Sequence, residues 1–152
     1  MNAQVPGVDV TAFTMGSAGD LDAVAQLLAA EGLPHQDIAE HIRHFVLARD
    51  HGHLIGTAGV QLCGRDGLLR SVCVSAGHRN RGLGRNLCRQ VVAYSKNAGL
   101  TRLFLLTTSA AGFFERMGFS ACSREVVPSG VLHTAEFTSL CPATAVCMVM
   151  RL

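Results

Sequence analysis

The sequence predicts an α/β fold in a single domain. A mixed, mostly antiparallel sheet of six or seven strands carries a central parallel β-α-β unit, with helices on both faces. Three observations predict it. Apolar segments of strand length follow one another through short Gly-containing turns between residues 45 and 74, as an antiparallel meander does. A helical pattern then runs from Leu83 through Leu87, Val91 and Tyr94 to a stop at Gly99. An apolar strand at 101–107 follows at once, and so short a strand–helix–strand connection implies a right-handed parallel crossover.

In chain order, residues 8–13 alternate and read as a first strand. Asp20 is placed to cap a helix whose apolar face is Leu21, Val24, Ala25 and Leu28, with Gly32 as its stop. After Pro34 a shorter helix is expected over 37–42. Strands at 45–49, 54–63 and 68–74 are separated by turns at 50–53 and 64–67. Gly56 and Gly59 inside the second of these strands indicate a bulge or a close backbone approach. Residues 109–118 form a short helix ended by Gly118, and strands are expected at 119–126 and 145–151 with a loop between them.

Composition narrows the function. A chain of 152 residues with only 16% charged side chains buries a core without staples and is not disordered. The net charge is +2, and four of the thirteen basic residues cluster between Arg79 and Arg89. One basic cluster without interleaved aromatics suits a single anionic ligand and not a nucleic acid. No signal peptide and no membrane span is read, so a soluble cytoplasmic protein is expected. The six cysteines form no C-x-x-C pair and mostly sit in apolar segments, so they are expected to pack as small hydrophobes, with no metal site.

The chemistry concentrates at Arg79-x-x-Gly82-x-Gly84, where a β-branched run opens into the central helix. Glycines let a ligand approach the backbone, and a helix N-terminus offers unpaired N–H groups to phosphate. Arg79, Arg81 and Arg85 add charged donors at the same point. The glycine order is not that of a dinucleotide fold, and no Walker loop follows.

This stretch resembles motif A of the GCN5-related N-acetyltransferases, (Gln/Arg)-x-x-Gly-x-(Gly/Ala). Phe113-Phe114-Glu115-Arg116-Met117-Gly118-Phe119 resembles the same family's motif B. A weaker resemblance, to the arsenic-resistance branch, lies in the segment from Pro128 to Cys147, around Thr134-x-Glu136-Phe137 and Leu140-Cys141-Pro142. The resemblance covers residues 8–151 and implies one acetyltransferase domain over 1–152. It implies acetyl-CoA as cosubstrate, a small-molecule primary amine as acceptor, and a homodimer.

Residue by residue, the resemblance gives the pyrophosphate to the loop Arg79, Asn80, Arg81, Gly82, Leu83, Gly84 and Arg85. The pantetheine arm pairs with the main chain of Val72 and Val74, in a gap where the flanking strands splay. Val74 N–H is placed to polarise the thioester carbonyl. The family's Tyr, which protonates the leaving thiolate, falls at Phe114, beside the cofactor but without a proton. Thr107, Ser109 or a water are then the candidate proton donors. The usual strand carboxylate is missing too, with Gln61 on the preceding strand, and Glu136 and His133 are the candidate bases. Arg70, Ser71 and His133 are candidate acceptor contacts, Arg70 as a clamp for an acidic group. An amino acid, or an arsenic- or phosphorus-containing analogue, fits that clamp. Two other classes stay open: a CoA-binding sensor that catalyses poorly or not at all, and a thiol-based metalloid binder using Cys141 and Cys147.

Overall fold

The computed structural model describes residues 12–152. The strands are β1 (Ala12–Met15), β2 (Phe45–Asp50), β3 (His53–Cys63), β4 (Asp66–Val74), β5 (Arg102–Thr107), β6 (Ser120–Ala121) and β7 (Val146–Arg151). The helices are α1 (Leu21–Ala30), α2 (Leu83–Asn97), α3 (Ala111–Met117) and α4 (Ser129–Leu132). The strand order is β1-β2-β3-β4-β5-β7-β6, with β4 and β5 parallel and the other recorded pairs antiparallel. The expected mixed sheet with a parallel β-α-β unit at its centre is present.

The described residues divide into two compact units, 12–60 with 71–93, and 61–70 with 94–152. In the first, β2 and β3 close through His51 and Gly52, both left-handed (φ 50° and 80°). That is the backbone a two-residue hairpin needs to match strand twist. The glycines of β3 are there for proximity. A side chain at Gly59 would collide with the Phe45 ring, and one at Gly56 would sit 2.9 Å from Leu87 and 3.2 Å from the Cys73 carbonyl. The register also slips next to Gly56, so both readings of these glycines hold. Val24, Leu28, Ile38, Ile42, Phe45, Leu47 and Cys73 form this unit's core.

In the second unit, Leu68, Phe104, Val127, Val131 and Cys147 form the core. Strands β4 and β5 pair through Asp66–Arg102, Gly67–Leu103 and Leu68–Phe104, and the Arg102 guanidinium holds both Asp66 carboxylate oxygens at 2.9 and 3.3 Å.

Three expected elements differ. The helix at 37–42 is two single 3₁₀ turns, Ile38–Glu40 and Ile42–His44. Ile38 and Ile42 are its only buried anchors, too few to hold a longer helix in place. The strand at 119–126 stops after Ala121, because the Ser123 hydroxyl accepts the Glu125 N–H at 3.2 Å and starts a 3₁₀ turn over Arg124–Val126. The loop after it contains α4 and a π-helical turn, Glu136–Leu140. The strand expected at 8–13 lies largely outside the described residues, and β1 carries it on from Ala12 to Met15.

Candidate active site

Strand β4 ends in the Arg-rich loop, and its backbone is bent before it gets there. Ser71 lies inside the strand at φ 58°, a left-handed conformation that costs a non-glycine residue about 1–3 kcal/mol. Its carbonyl accepts the buried Thr57 hydroxyl at 2.6 Å, which holds the distortion. The half-buried Val72 and Val74 follow it, and Ser75 N–H donates to the Ile55 carbonyl at 2.8 Å. Sequence reasoning missed this bend, since serine carries none of the signal that glycine or asparagine would.

From Ser75 the loop is pinned at its start. The Ser75 hydroxyl meets His78 Nδ1 at 2.8 Å, and His78 Nε2 lies 3.5 Å from an Asp50 carboxylate oxygen. Arg79 folds back to donate from Nε to the Val74 carbonyl at 3.2 Å, and its guanidinium pairs with Glu31. Asn80 (φ 63°) and Gly82 (φ 78°) are both left-handed.

Helix α2 then starts at Leu83, with the Gly82 carbonyl accepting from Asn86 N–H at 3.0 Å. Leu83, Leu87 and Val91 are buried as the periodicity required, and Tyr94 is half-buried. Arg79, Arg81 and Arg85 are exposed, and no acidic residue lies in the first turn. A Cβ at Gly82 would meet nothing within 4 Å, so this side of the loop is open. A positive helix end beside three exposed arginines, with no acidic residue in its first turn, suits an anion such as pyrophosphate.

The other candidates sit in the second unit. Thr107 ends β5, nearly buried, and its hydroxyl accepts the Ala110 N–H at 3.0 Å just before α3. Ser109 is exposed. Phe114 is buried on α3, edge-on to Phe113 and Phe119 at 5.1 and 5.8 Å between ring centres.

Arg70 and Glu136, 66 residues apart, are brought together. Arg70 Nη2 lies 3.4 Å from Glu136 Oε2, and the two side chains are 0% and 5% exposed. Arg70 therefore faces inward, and the carboxylate it meets in this structure belongs to the chain itself. Glu136 opens the π-helical turn, an uncommon geometry that often marks functional sites. Cys141 Sγ is 3.8 Å from Glu136 Oε1, and burial, followed by the Glu136 charge, pushes its thiol up to about 12.

His133 is not part of this contact. It follows α4, exposed, with its N–H on the Ser129 carbonyl. The Gln61 side-chain oxygen is buried with no hydrogen-bond partner among the described residues. Also among the described residues, no three His, Cys, Asp or Glu side chains converge as a metal site, and no helix is long and apolar enough to cross a membrane.

An Arg- and Gly-rich loop between β4 and α2, followed by the Phe113–Phe119 segment around α3, is the arrangement of an acetyltransferase. The chain belongs to the acetyltransferase (GNAT) family, whose family model matches residues 20–119. It is similar to an uncharacterized N-acetyltransferase of Chlorobaculum tepidum, 28% identical over an alignment of 138 residues that covers 88% of this chain and 86% of the relative. An amino-acid acetyltransferase of Neisseria meningitidis is 25% identical over 73% of this chain and 28% of its own length. Among solved structures, N-acetylglutamate synthase from Neisseria gonorrhoeae, complexed with coenzyme A and L-arginine, shares the fold. Its TM-score is 0.79 at 23% identity, over 95% of this chain and 34% of the synthase. The chain thus spans about a third of both Neisseria enzymes.

Proposed function

We propose that residues 1–152 act as one cytoplasmic acetyltransferase domain, moving the acetyl group of acetyl-CoA to the primary amine of an amino acid or a close analogue. The observation that carries the reading is the loop from Arg79 to Arg85, left-handed at Asn80 and Gly82, opening into α2. Its amides and arginines would hold the pyrophosphate, and the main chain of Val72 and Val74 would pair with the pantetheine arm. The amine nitrogen attacks the thioester carbonyl, Val74 N–H stabilises the oxyanion, and the C–S bond then breaks. The leaving thiolate is tolerable as an anion, a thiol pKa being about 8.5, and Thr107 or Ser109 can supply its proton. Phe114 shapes the cofactor side of the site without taking part in proton transfer.

The acceptor class rests on Arg70 and Glu136. An acidic acceptor reaches the Arg70 guanidinium by taking the place of the Glu136 carboxylate. The exchange keeps the buried cation paired and frees Glu136 to accept the ammonium proton. Ser71 and His133 complete the acceptor contacts. The amino-acid acetyltransferase relative and the N-acetylglutamate synthase fold neighbour support this class. Arsenic- and phosphorus-containing amino acids carry the same ammonium and a comparable acidic group, so they belong in the same panel.

Release of free coenzyme A thiol across a panel of amines tests the reading. Amino acids are expected to turn over at least tenfold faster, in kcat/KM, than the same amines without the acidic group. Binding of coenzyme A with no turnover of any amine would overturn the enzyme reading in favour of a sensor. Equal turnover of acidic and neutral amines would overturn the exchange at Arg70.

A further inference from the structure

We propose that Cys122 and Cys147 are a modification site, a thiol pair that closes to a reversible disulfide when a peroxide reaches it. The two sulfurs lie 3.5 Å apart, and both cysteines are free. Their backbones are already in place. β6 pairs with β7 through Ser120–Val149 and Ala121–Met148, so the next opposed pair is Cys122 with Cys147. The Cys122 N–H donates to the Cys147 carbonyl at 2.9 Å, which extends the ladder to that pair. Directly opposed antiparallel residues have Cα atoms about 4.5–5.5 Å apart, inside the range a disulfide spans. Closing the bond needs side-chain rotation and little backbone movement.

The two thiols are not equivalent. Cys147 is 4% exposed on β7, and burial, then the contact with Cys122, pushes its thiol up to about 12. Cys122 is only half-buried, so it is the sulfur that an oxidant meets. Its thiolate attacks one peroxide oxygen, the O–O bond breaks, and the departing hydroxide takes a proton to become water. The Cys147 sulfur then attacks the Cys122 sulfenic acid. An S–S bond forms, the S–O bond breaks, and the second water leaves with the Cys147 proton. Two thiols and one hydrogen peroxide become one disulfide and two waters, each sulfur losing one electron.

The closed bond would tie together the ends of the segment 123–146, which contains Glu136 and its π-helical turn. Nothing in the acetyl-transfer reading uses either cysteine, so the inference stands apart from it.

The test treats the full chain with stoichiometric hydrogen peroxide, alkylates under denaturing conditions, and digests with trypsin without reduction. Alkylatable thiols are expected to fall from six to four, with peptide 117–124 linked to peptide 125–151. Peptide 125–151 carries Cys141 as well, so variants assign the partner. The link should survive Cys141→Ser, vanish in Cys122→Ser, Cys147→Ser and Cys147→Ala, and open again with dithiothreitol. Six remaining thiols, a link that survives both Cys147 substitutions, or a link only between two molecules would each overturn the proposal.

Discussion

Two of the arginine–carboxylate pairs look alike on paper and differ in what surrounds them. In Arg79–Glu31 the side chains are 47% and 29% exposed, and in Arg70–Glu136 they are 0% and 5% exposed. Water and salt screen the first pair, so its partners can be exchanged at a cost of about 0–1 kcal/mol. The second has lost its hydration, and removal of one partner leaves the other charge buried without it, at about 3–5 kcal/mol. The lesson concerns ligands. An exposed arginine turns to an incoming phosphate with little to give up, whereas a buried one accepts only a ligand that replaces the charge it already has. The first arrangement suits a cosubstrate held by its phosphates, and the second suits discrimination among acceptors.

The sharpest way to break this contrast is to remove one buried partner. Glu136→Leu or Arg70→Met alone should lose about 3–5 kcal/mol in urea unfolding, while the double variant should recover most of it. A loss below about 1 kcal/mol in the single variants would mean that this pair is as well solvated as the other. Gly82→Glu comes next, and it acts on binding. The left-handed backbone at Gly82 makes any side chain cost about 1 kcal/mol, yet there is room for one, so the protein should fold. A carboxylate facing the pyrophosphate should weaken coenzyme A binding about 100-fold, near 2.7 kcal/mol, read by titration calorimetry. Gly82→Ala separates strain from charge and should bind within about tenfold of the parent.

How far each region could be read from residues alone follows from how local its causes are. The loop into α2 is local. Glycine spacing, three arginines and the Leu83–Leu87–Val91 repeat all lie within thirteen residues, and the structure exposes the arginines, starts α2 at Leu83 and buries the repeat. The hairpins and the crossover were legible for the same reason. Arg70 and Glu136 meet across 66 residues, and neither position carries a periodic or turn signal that points to the other. Ser71 takes its left-handed backbone because Thr57, on another strand, holds its carbonyl. β6 ends short of the strand that the sequence predicts because one hydroxyl, that of Ser123, offers the chain a 3₁₀ turn in its place. Cys122 and Cys147 looked like separate small hydrophobes until register set them opposite each other.

A third pair, Asp20 with Arg49, has intermediate exposure, 19% and 24%, and extends the contrast to pH. Burial raises the Asp20 carboxyl, but hydrogen bonds from the Ser17 N–H and hydroxyl and from Arg49 outweigh it and hold the group below its usual 3.8. A depressed folded value means that the contribution is complete above about pH 4 and is lost as pH falls through the folded value. Asp20→Asn should therefore cost about 1 kcal/mol at neutral pH and flatten the acid limb of the stability curve below pH 4. An unchanged acid limb would show that the pair contributes no more than a fully exposed one.

The smallest effect tests the exposed end of the contrast. Glu31→Gln should change stability by less than about 0.5 kcal/mol, because solvent takes over the guanidinium. If Arg79 serves phosphate, the same change removes an internal competitor and should tighten coenzyme A about two- to threefold, more at low salt than at high. A readout free of ligand is available at Cys73. Burial first, and then the Glu31 charge, push its thiol up to about 11, while Arg79 pulls it down. Loss of the Glu31 charge should lower that value and speed Cys73 alkylation at a fixed pH. A faster thiol with unchanged coenzyme A affinity would place Arg79 beside the cradle but outside its working set, leaving the amides and the other two arginines to hold the phosphates.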